Sequence, residues 1–254
     1  MSNMPEILTS RAVVRPGSYA VIPAAGLVNN VVPGLEKCRV SIVASPKLGA
    51  GFVQYVLEAE TGGGALRPFA AEPGIESFLY CLEGEGVMAA AGGEQALGPG
   101  SYAFAPAGAG LEFRNTGEGK LKLLLYKQRY TPLTGHAARP ITGEAESIPF
   151  RVYEGLAQVL IKDLLPAELG FDLNFHILSF RPGGGHPFVE THVQEHGAYV
   201  LSGAGCYYLN DNWSMVKKND FIWFGPYCPQ AAYGAGAEDF AYIYSKDCNR
   251  DAAL

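Results

Sequence analysis

The segment SFLYCLEGEGVMAAAG, residues 77–92, carries the pattern that predicts the fold. Apolar and aromatic residues stand on both sides of Gly84 and Gly86, which is typical of two strands joined by a tight turn. Similar short runs, separated by Gly, Pro, Asn or Asp, lie at 52–60, 101–108 and 120–128. The pattern predicts an all-β protein with short helices, and the clearest helix candidate is GLAQVLIKDLL at 155–165.

The same pattern occurs a second time in the chain. LEGEG at 82–86 matches LSGAG at 201–205, and GSYAF at 100–104 matches NDFIW at 219–223, both 119 residues later. An upstream glycine-rich turn repeats with an offset of 121, which indicates a two-residue insertion in a loop. Two copies of one β-domain are the simplest explanation.

The repeat predicts two domains and a connection. The first copy is expected over 1–130 and the second over 150–254. Residues 131–149 are polar, contain Pro and Gly and lack periodicity, which favours a linker. Each copy is expected to form a small β-barrel of the jelly-roll type.

Composition narrows the class of protein. The net charge is −6 and only 17% of the residues are charged, against about 25% in an average soluble domain. The chain has no basic run for nucleic acid and no apolar stretch long enough for a membrane span. The N-terminus also lacks a basic segment followed by an apolar one, so no secretory signal is expected. These features predict a cytoplasmic protein.

The second copy contains a candidate metal site. Glu190, His192 and His196 form the pattern E-x-H-x3-H within GGGHPFVETHVQEHGAYVLSG. Positions 190 and 192 of a strand share a face, and a turn at 194–195 would return His196 beside them. Two imidazoles and a carboxylate form a ligand set for a divalent metal. The candidate for a fourth ligand is Gln230 in DFIWFGPYCPQ.

These histidines admit other interpretations. A single His on an apolar strand is usually a hydrogen-bonded core residue, but two His converging with a Glu rarely arise by chance. HVQEH at 192–196 also spells a zinc-protease pattern, which needs a helix, whereas Gly and Pro surround it here. His186 and His176 are interpreted as structural or as neighbours of the ligands, and His136 as a surface residue of the linker.

The first copy lacks such residues. An offset of 119 assigns Ala71, Pro73, Ser77 and Leu111 to the four ligand positions. None of these side chains is a usual metal ligand, so the first barrel is expected to be degenerate and metal-free.

These residues resemble the cupin superfamily, whose motifs are G-x5-H-x-H-x3,4-E-x6-G and G-x5-P-x-G-x2-H-x3-N. The chain departs from them because Glu190 stands at the first His, His196 at the Glu and Gln230 at the second-motif His. This altered set is similar to one branch, the bicupin (S)-ureidoglycine aminohydrolases. The similarity extends through most of 171–250 and, less specifically, through the N-terminal half.

The resemblance implies a manganese-dependent hydrolysis of (S)-ureidoglycine to (S)-ureidoglycolate and ammonia in allantoin and purine degradation. It implies that Glu190, His192, His196 and Gln230 bind the metal and that Tyr207, Tyr242 and Lys246 line the substrate pocket. Alternation along 242–246 independently places Tyr242 and Lys246 on one strand face. Catalytic roles are expected for Glu190, Lys246, Tyr207 and Tyr242. The substrate is expected to be a small molecule with a carboxylate, and the protein a homo-oligomer.

Two alternatives remain at this point. Another metal-dependent bicupin enzyme, a dioxygenase or a decarboxylase, would use the same barrel, although such enzymes usually prefer three His and a Glu. A non-catalytic cupin that binds a sugar or another small ligand is the alternative from a different class. The ligand set of the second copy favours an enzyme.

Overall fold

The computed structural model describes residues 10–90 and 93–252 and is built almost entirely from strands. Helical turns occur in this part only as two 3₁₀ segments, Ala24–Gly26 and Ala145–Ser147, and neither is long enough to cross a membrane. The first eleven strands are β1 (Val13–Arg15), β2 (Tyr19–Ile22), β3 (Leu35–Ala44), β4 (Phe52–Ala65), β5 (Ile75–Glu83), β6 (Gly86–Ala90), β7 (Glu94–Leu97), β8 (Ser101–Ala105), β9 (Leu111–Asn115), β10 (Leu121–Arg129) and β11 (Ile141–Glu144). The others are β12 (Arg151–Tyr153), β13 (Leu156–Asp163), β14 (Leu173–Phe180), β15 (His196–Ser202), β16 (Ala204–Leu209), β17 (Asn212–Lys217), β18 (Phe221–Phe224), β19 (Gln230–Gly234) and β20 (Phe240–Asp247).

The strands form two half-molecules. Strands β3 to β11 make a nine-stranded sheet, and the second half contains an eight-stranded sheet and the three-stranded sheet β17-β16-β19. Every strand pair is antiparallel, as expected when short turns connect neighbouring strands. This arrangement confirms the prediction of an all-β fold with two barrels.

The sheets of the two halves do not follow the predicted domain boundaries. β1 and β2 belong to the eight-stranded sheet of the second half, where β2 pairs with β18. β11, which lies inside the predicted linker 131–149, pairs with β8 of the first half. Each half therefore completes its sheet with a strand from outside its own repeat.

The predicted helix at 155–165 is wrong, because β13 covers most of this segment. β13 pairs with β12 on one side and with β14 on the other. Val159 and Ile161 point into the core. The spacing of the apolar residues in this segment fits the period of a strand as well as that of a helix. Gly155, with φ +79°, forms the turn that starts the strand.

Buried apolar residues form three clusters, and one of them lies between the halves. Leu57 and Leu123 belong to the cluster inside the first half, and Leu178 belongs to the one inside the second. In the middle cluster, Phe78 of the first half stacks on Phe175 of the second, with ring centroids 3.8 Å apart. Three apolar clusters account for the low share of charged residues.

Strand β10 shows how the sequence serves two clusters at once. Leu123 and Leu125 face the core of the first half, whereas Leu124 and Tyr126 face the middle cluster. A strand buried on both faces has a continuous apolar run rather than an alternating one. This explains the sequence LKLLLY at 121–126.

Candidate active site

A cavity of about 450 Å³ lies in the second half and collects the residues selected from the sequence. Its walls include β15, β16, β19 and β20 and the segment 186–194. All seven predicted site residues line it: Glu190, His192, His196, Tyr207, Gln230, Tyr242 and Lys246.

Glu190 and Gln230 are held together by backbone and side-chain contacts. The Glu190 amide donates to the Gln230 carbonyl at 2.8 Å, and the Gln230 amide donates back at 2.9 Å. The Gln230 side chain also donates from Nε2 to Glu190 Oε2 at 2.6 Å. This isolated bridge fixes two side chains that lie 40 residues apart in sequence.

In both His192 and His196, Nδ1 is hydrogen-bonded to a backbone carbonyl and Nε2 is left free. His192 Nδ1 lies 3.0 Å from the Gln194 carbonyl oxygen, and His196 Nδ1 lies 2.8 Å from that of Ser245. A carbonyl only accepts, so each Nδ1 donates and each Nε2 keeps its lone pair. Burial, and then the nearby imidazole of His192, holds the pKa of His196 well below its ordinary value. Both rings are therefore oriented so that Nε2 can bind a metal.

Two tyrosines supply hydroxyl groups deep in the cavity. Tyr207 Oη donates to Gln230 Oε1 at 3.3 Å and lies 3.4 Å from Tyr242 Oη. Burial raises the pKa of both tyrosines well above the ordinary value, so they remain protonated donors. Lys246 follows four residues after Tyr242 on β20, and both side chains line the cavity, as strand alternation predicts.

The relatives of the chain identify its family. The chain is 47% identical over 250 residues to the (S)-ureidoglycine aminohydrolase of Escherichia coli strain K12, across 98% of this chain and 95% of that protein. The chain belongs to the (S)-ureidoglycine aminohydrolase family. This membership confirms the resemblance inferred from the sequence. A probable (S)-ureidoglycine aminohydrolase of Oryza sativa subsp. japonica is 30% identical over 241 residues, across 94% of this chain and 74% of that protein.

The fold agrees with membership of the aminohydrolase family. The crystal structure of protein Ylba from Escherichia coli matches this chain with a TM-score of 0.89 and 44% identity over the full length of both chains. The family model of the cupin domain matches residues 57–126, which lie in the first half. The general cupin pattern is thus matched in the half that does not contain the cavity of Glu190 and His196.

Strand pairing corrects the correspondence between the two halves. Phe69 forms an isolated bridge with Leu111, just as Glu190 does with Gln230, so Phe69 and not Ala71 occupies the position of Glu190. Ser77 pairs with Ala105 as His196 pairs with Phe224, which agrees with the 119-residue offset there. The two-residue difference therefore lies after Phe69, where the first half has the longer loop.

The structure places His186 in the cavity wall and gives Glu195 a supporting contact that the sequence did not indicate. His186 lines the cavity, although it was interpreted as structural or as a neighbour of the ligands. Glu195, next to His196, accepts from the Gly51 amide at 2.8 Å and from Trp223 Nε1 at 3.0 Å. It therefore ties the end of the ligand segment to the first half of the molecule, a contact between distant segments that the sequence gives no signal for.

The donor set suits a divalent ion by its chemistry. In residues 10–90 and 93–252, no three His, Cys, Asp or Glu side chains meet closely enough to form a metal-binding group by themselves. The Glu190 carboxylate is instead hydrogen-bonded to the Gln230 amide. Nevertheless, His192 and His196 with free Nε2 lone pairs, a carboxylate and an amide line the same cavity. Ligating His residues usually donate their other ring N–H to a carbonyl or carboxylate, as these two do.

Proposed function

We propose that this protein hydrolyses (S)-ureidoglycine to (S)-ureidoglycolate and ammonia, with a manganese ion as its cofactor. One observation carries the proposal: the residues that distinguish this family from other cupins, Glu190, His196 and Gln230, line one cavity with Lys246 in a chain of that family. The cavity volume of about 450 Å³ suits a small substrate.

Glu190, His192, His196 and Gln230 would hold the metal. Two nitrogens and two oxygens leave positions open on an octahedral ion, and the amide oxygen favours manganese over zinc. A bound divalent ion supplies Lewis-acid polarisation and orients the substrate. One carboxylate against a divalent cation leaves about one positive charge, which attracts a carboxylate substrate.

The other residues bind the substrate and move protons. Lys246 would pair with the substrate carboxylate, which fixes the face of the α-carbon that water attacks. Tyr207 and Tyr242 would donate hydrogen bonds to the reacting groups. Glu190 would take a proton from the attacking water and deliver it to the amine, so that the C–N bond breaks as the C–O bond forms.

The division of labour between the halves is also part of the proposal. The second barrel would bind metal and substrate, and the first would remain metal-free and support it. Phe69 and Leu111 supply no metal ligand at the positions of Glu190 and Gln230. Homo-oligomerisation and a cytoplasmic location stay predictions of the sequence.

Ammonia release from freshly prepared (S)-ureidoglycine tests the function. Wild-type protein should release ammonia above the spontaneous rate only with a divalent metal, and manganese should serve best. The Glu190→Gln variant should lose most of this activity. Full activity of Glu190→Gln with metal retained would contradict the proton-transfer role, and no metal-dependent release by the wild type would refute the proposal itself.

A further inference from the structure

His186 is anchored in the cavity wall through its backbone and through one ring nitrogen. Its amide donates to the Ala232 carbonyl at 3.0 Å, and the Ala232 amide donates back to His186 Nδ1 at 3.1 Å. The ring packs edge-to-face on Phe180, with centroids 5.2 Å apart, and is almost fully buried. Ala232 lies two residues after Gln230 on β19, so the same strand carries His186 and the predicted ligand.

These contacts fix the tautomer of His186. A backbone amide can only donate, so Nδ1 must accept and the ring proton must sit on Nε2. Nε2 makes no hydrogen bond to a described residue. It is also not among the fully buried polar atoms that lack a hydrogen-bond partner. Since His186 lines the cavity, its Nε2–H is a donor open to a bound ligand. Burial also lowers the pKa of His186, which keeps the ring neutral.

His186 and Lys246 line the cavity next to different parts of β20. Phe180, on which His186 packs, pairs with Phe240 at the start of β20, whereas Lys246 pairs with Asn174 near the end of that strand. A ligand carboxylate held at Lys246 therefore leaves the His186 donor available to another group of the ligand. In (S)-ureidoglycine that other group is the ureido group, which has a carbonyl acceptor.

We propose that His186 selects ureido substrates by donating a hydrogen bond from Nε2 to the ureido carbonyl oxygen. This inference rests on the proposed function, because it assumes that Lys246 receives the carboxylate. The neutral donor complements an uncharged acceptor, whereas the metal and Lys246 complement the carboxylate. His186 is thus a specificity-determining residue and needs no role in proton transfer.

Two substitutions test the roles of the two ring nitrogens separately. In His186→Asn, the amide oxygen takes the place of Nδ1 and accepts from Ala232, while the donor at Nε2 is removed. In His186→Gln, the longer amide places an N–H near Nε2, while the Nδ1 acceptor is lost. His136→Asn, at an exposed position before β11, is the matched control.

Two stable ligands report on the ureido carbonyl. Hydantoate carries a carboxylate and a ureido group, and guanidinoacetate has the same skeleton without the carbonyl oxygen. Calorimetric titration of manganese-loaded protein measures both affinities. The melting temperature of the metal-free protein reports on the hydrogen bond between the Ala232 amide and the side chain at position 186. Turnover of (S)-ureidoglycine by the wild type is measured in parallel.

The expected result is a selective loss. His186→Asn should bind hydantoate about tenfold more weakly, the usual effect of one neutral hydrogen bond, with guanidinoacetate affinity and melting temperature unchanged. His186→Gln should keep the affinity for hydantoate and melt at a lower temperature. His136→Asn should match the wild type in every measurement.

Other results overturn the inference. Equal losses for both ligands in His186→Asn, no loss for hydantoate, or no binding of hydantoate by the wild type would each contradict a ureido contact. If the wild type turns over (S)-ureidoglycine while His186→Asn keeps its hydantoate affinity, only this inference fails. If the wild type shows no turnover, the proposed function fails instead.

Discussion

Phe69 and Leu111 in the first barrel form the same isolated backbone bridge as Glu190 and Gln230 in the second. In one barrel the bridge presents a phenyl ring and an isobutyl group, and in the other a carboxylate hydrogen-bonded to an amide. Phe69 packs edge-on against Tyr55, with centroids 5.7 Å apart, and so fills space instead of providing ligands. The difference teaches that the backbone bridge of this barrel persists when an apolar pair stands in place of the Glu–Gln pair.

One charged position is shared by both barrels. Lys127 on β10 lies opposite Ser77, and Lys246 on β20 has the corresponding place beside His196. In the first barrel, however, Lys127 Nζ lies 3.9 Å from a Glu72 oxygen and 5.7 Å from the centroid of Phe69. A retained lysine therefore does not by itself mark an active barrel.

Removal of a ligand should have the largest effect. His192→Ala should reduce metal-dependent ammonia release about a thousandfold or more, because loss of the metal removes several kcal/mol of transition-state stabilisation. Ser77→Ala, at the position of His196 in the first barrel, should change the rate less than about twofold. Equal losses in the two variants would contradict the division of labour.

The shared middle cluster should couple the stability of the two barrels. Phe175→Ala removes the ring that stacks on Phe78 and should lower the free energy of unfolding by about 3–5 kcal/mol. Urea denaturation followed by fluorescence and circular dichroism should show one transition at a lower midpoint. Leu66→Ala, at an exposed position, should stay within about 0.5 kcal/mol of the wild type. Two separated transitions would show that the barrels are independent.

The two equivalent lysines should respond differently to the same substitution. Lys246→Ala should raise the KM for (S)-ureidoglycine about 10- to 100-fold, the range for loss of a charge-assisted hydrogen bond. Lys127→Ala should leave kcat and KM unchanged within about twofold, since its partners are Glu72 and Phe69. Steady-state kinetics measure both, and a comparable rise in KM for Lys127→Ala would assign a substrate role to the first barrel.

The smallest effect concerns a buried carboxyl between the barrels. Burial, and then the charge of Asp172 from the second half, raises the pKa of Glu76 far above its ordinary value, and Gln128 Nε2 donates to Glu76 Oε1 at 2.8 Å. The folded protein keeps this proton whereas the unfolded chain releases it, so stability falls as the pH rises above the ordinary pKa of a glutamate. Between pH 5 and 8 the wild type should lose at least about 1 kcal/mol, and Glu76→Gln should show a smaller loss. Identical pH dependence of the melting temperatures would contradict the raised pKa.

Much of the fold follows from local signals in the sequence. Runs such as 52–60 and 120–128 form strands because their apolar residues pack against neighbouring strands. Gly84 and Gly203, both with positive φ, form the tight turns. Glu190, His192 and His196 line one cavity as the spacing predicts, although Glu190 forms only an isolated bridge and the expected strand over 190 and 192 is absent from this described segment.

Long-range pairing could not be predicted in this way. The pairing of β2 with the second half and of β11 with the first depends on which sheet edge each strand meets, and no local pattern records that. The helix predicted at 155–165 failed because Val159 and Ile161 fit both periodicities and only the neighbouring strands decide between them. The correspondence between Phe69 and Glu190 could not be predicted, because it depends on the length of the loop after Phe69 and not on the residue type at that position.

The metal content of the purified protein tests the central claim most directly. Protein loaded with manganese, freed of excess ion and analysed by atomic absorption should hold one ion per chain. The ion should be lost in His192→Ala and retained in Ser77→Ala. Two ions per chain, none, or an ion that survives His192→Ala would contradict a single metal site in the second barrel.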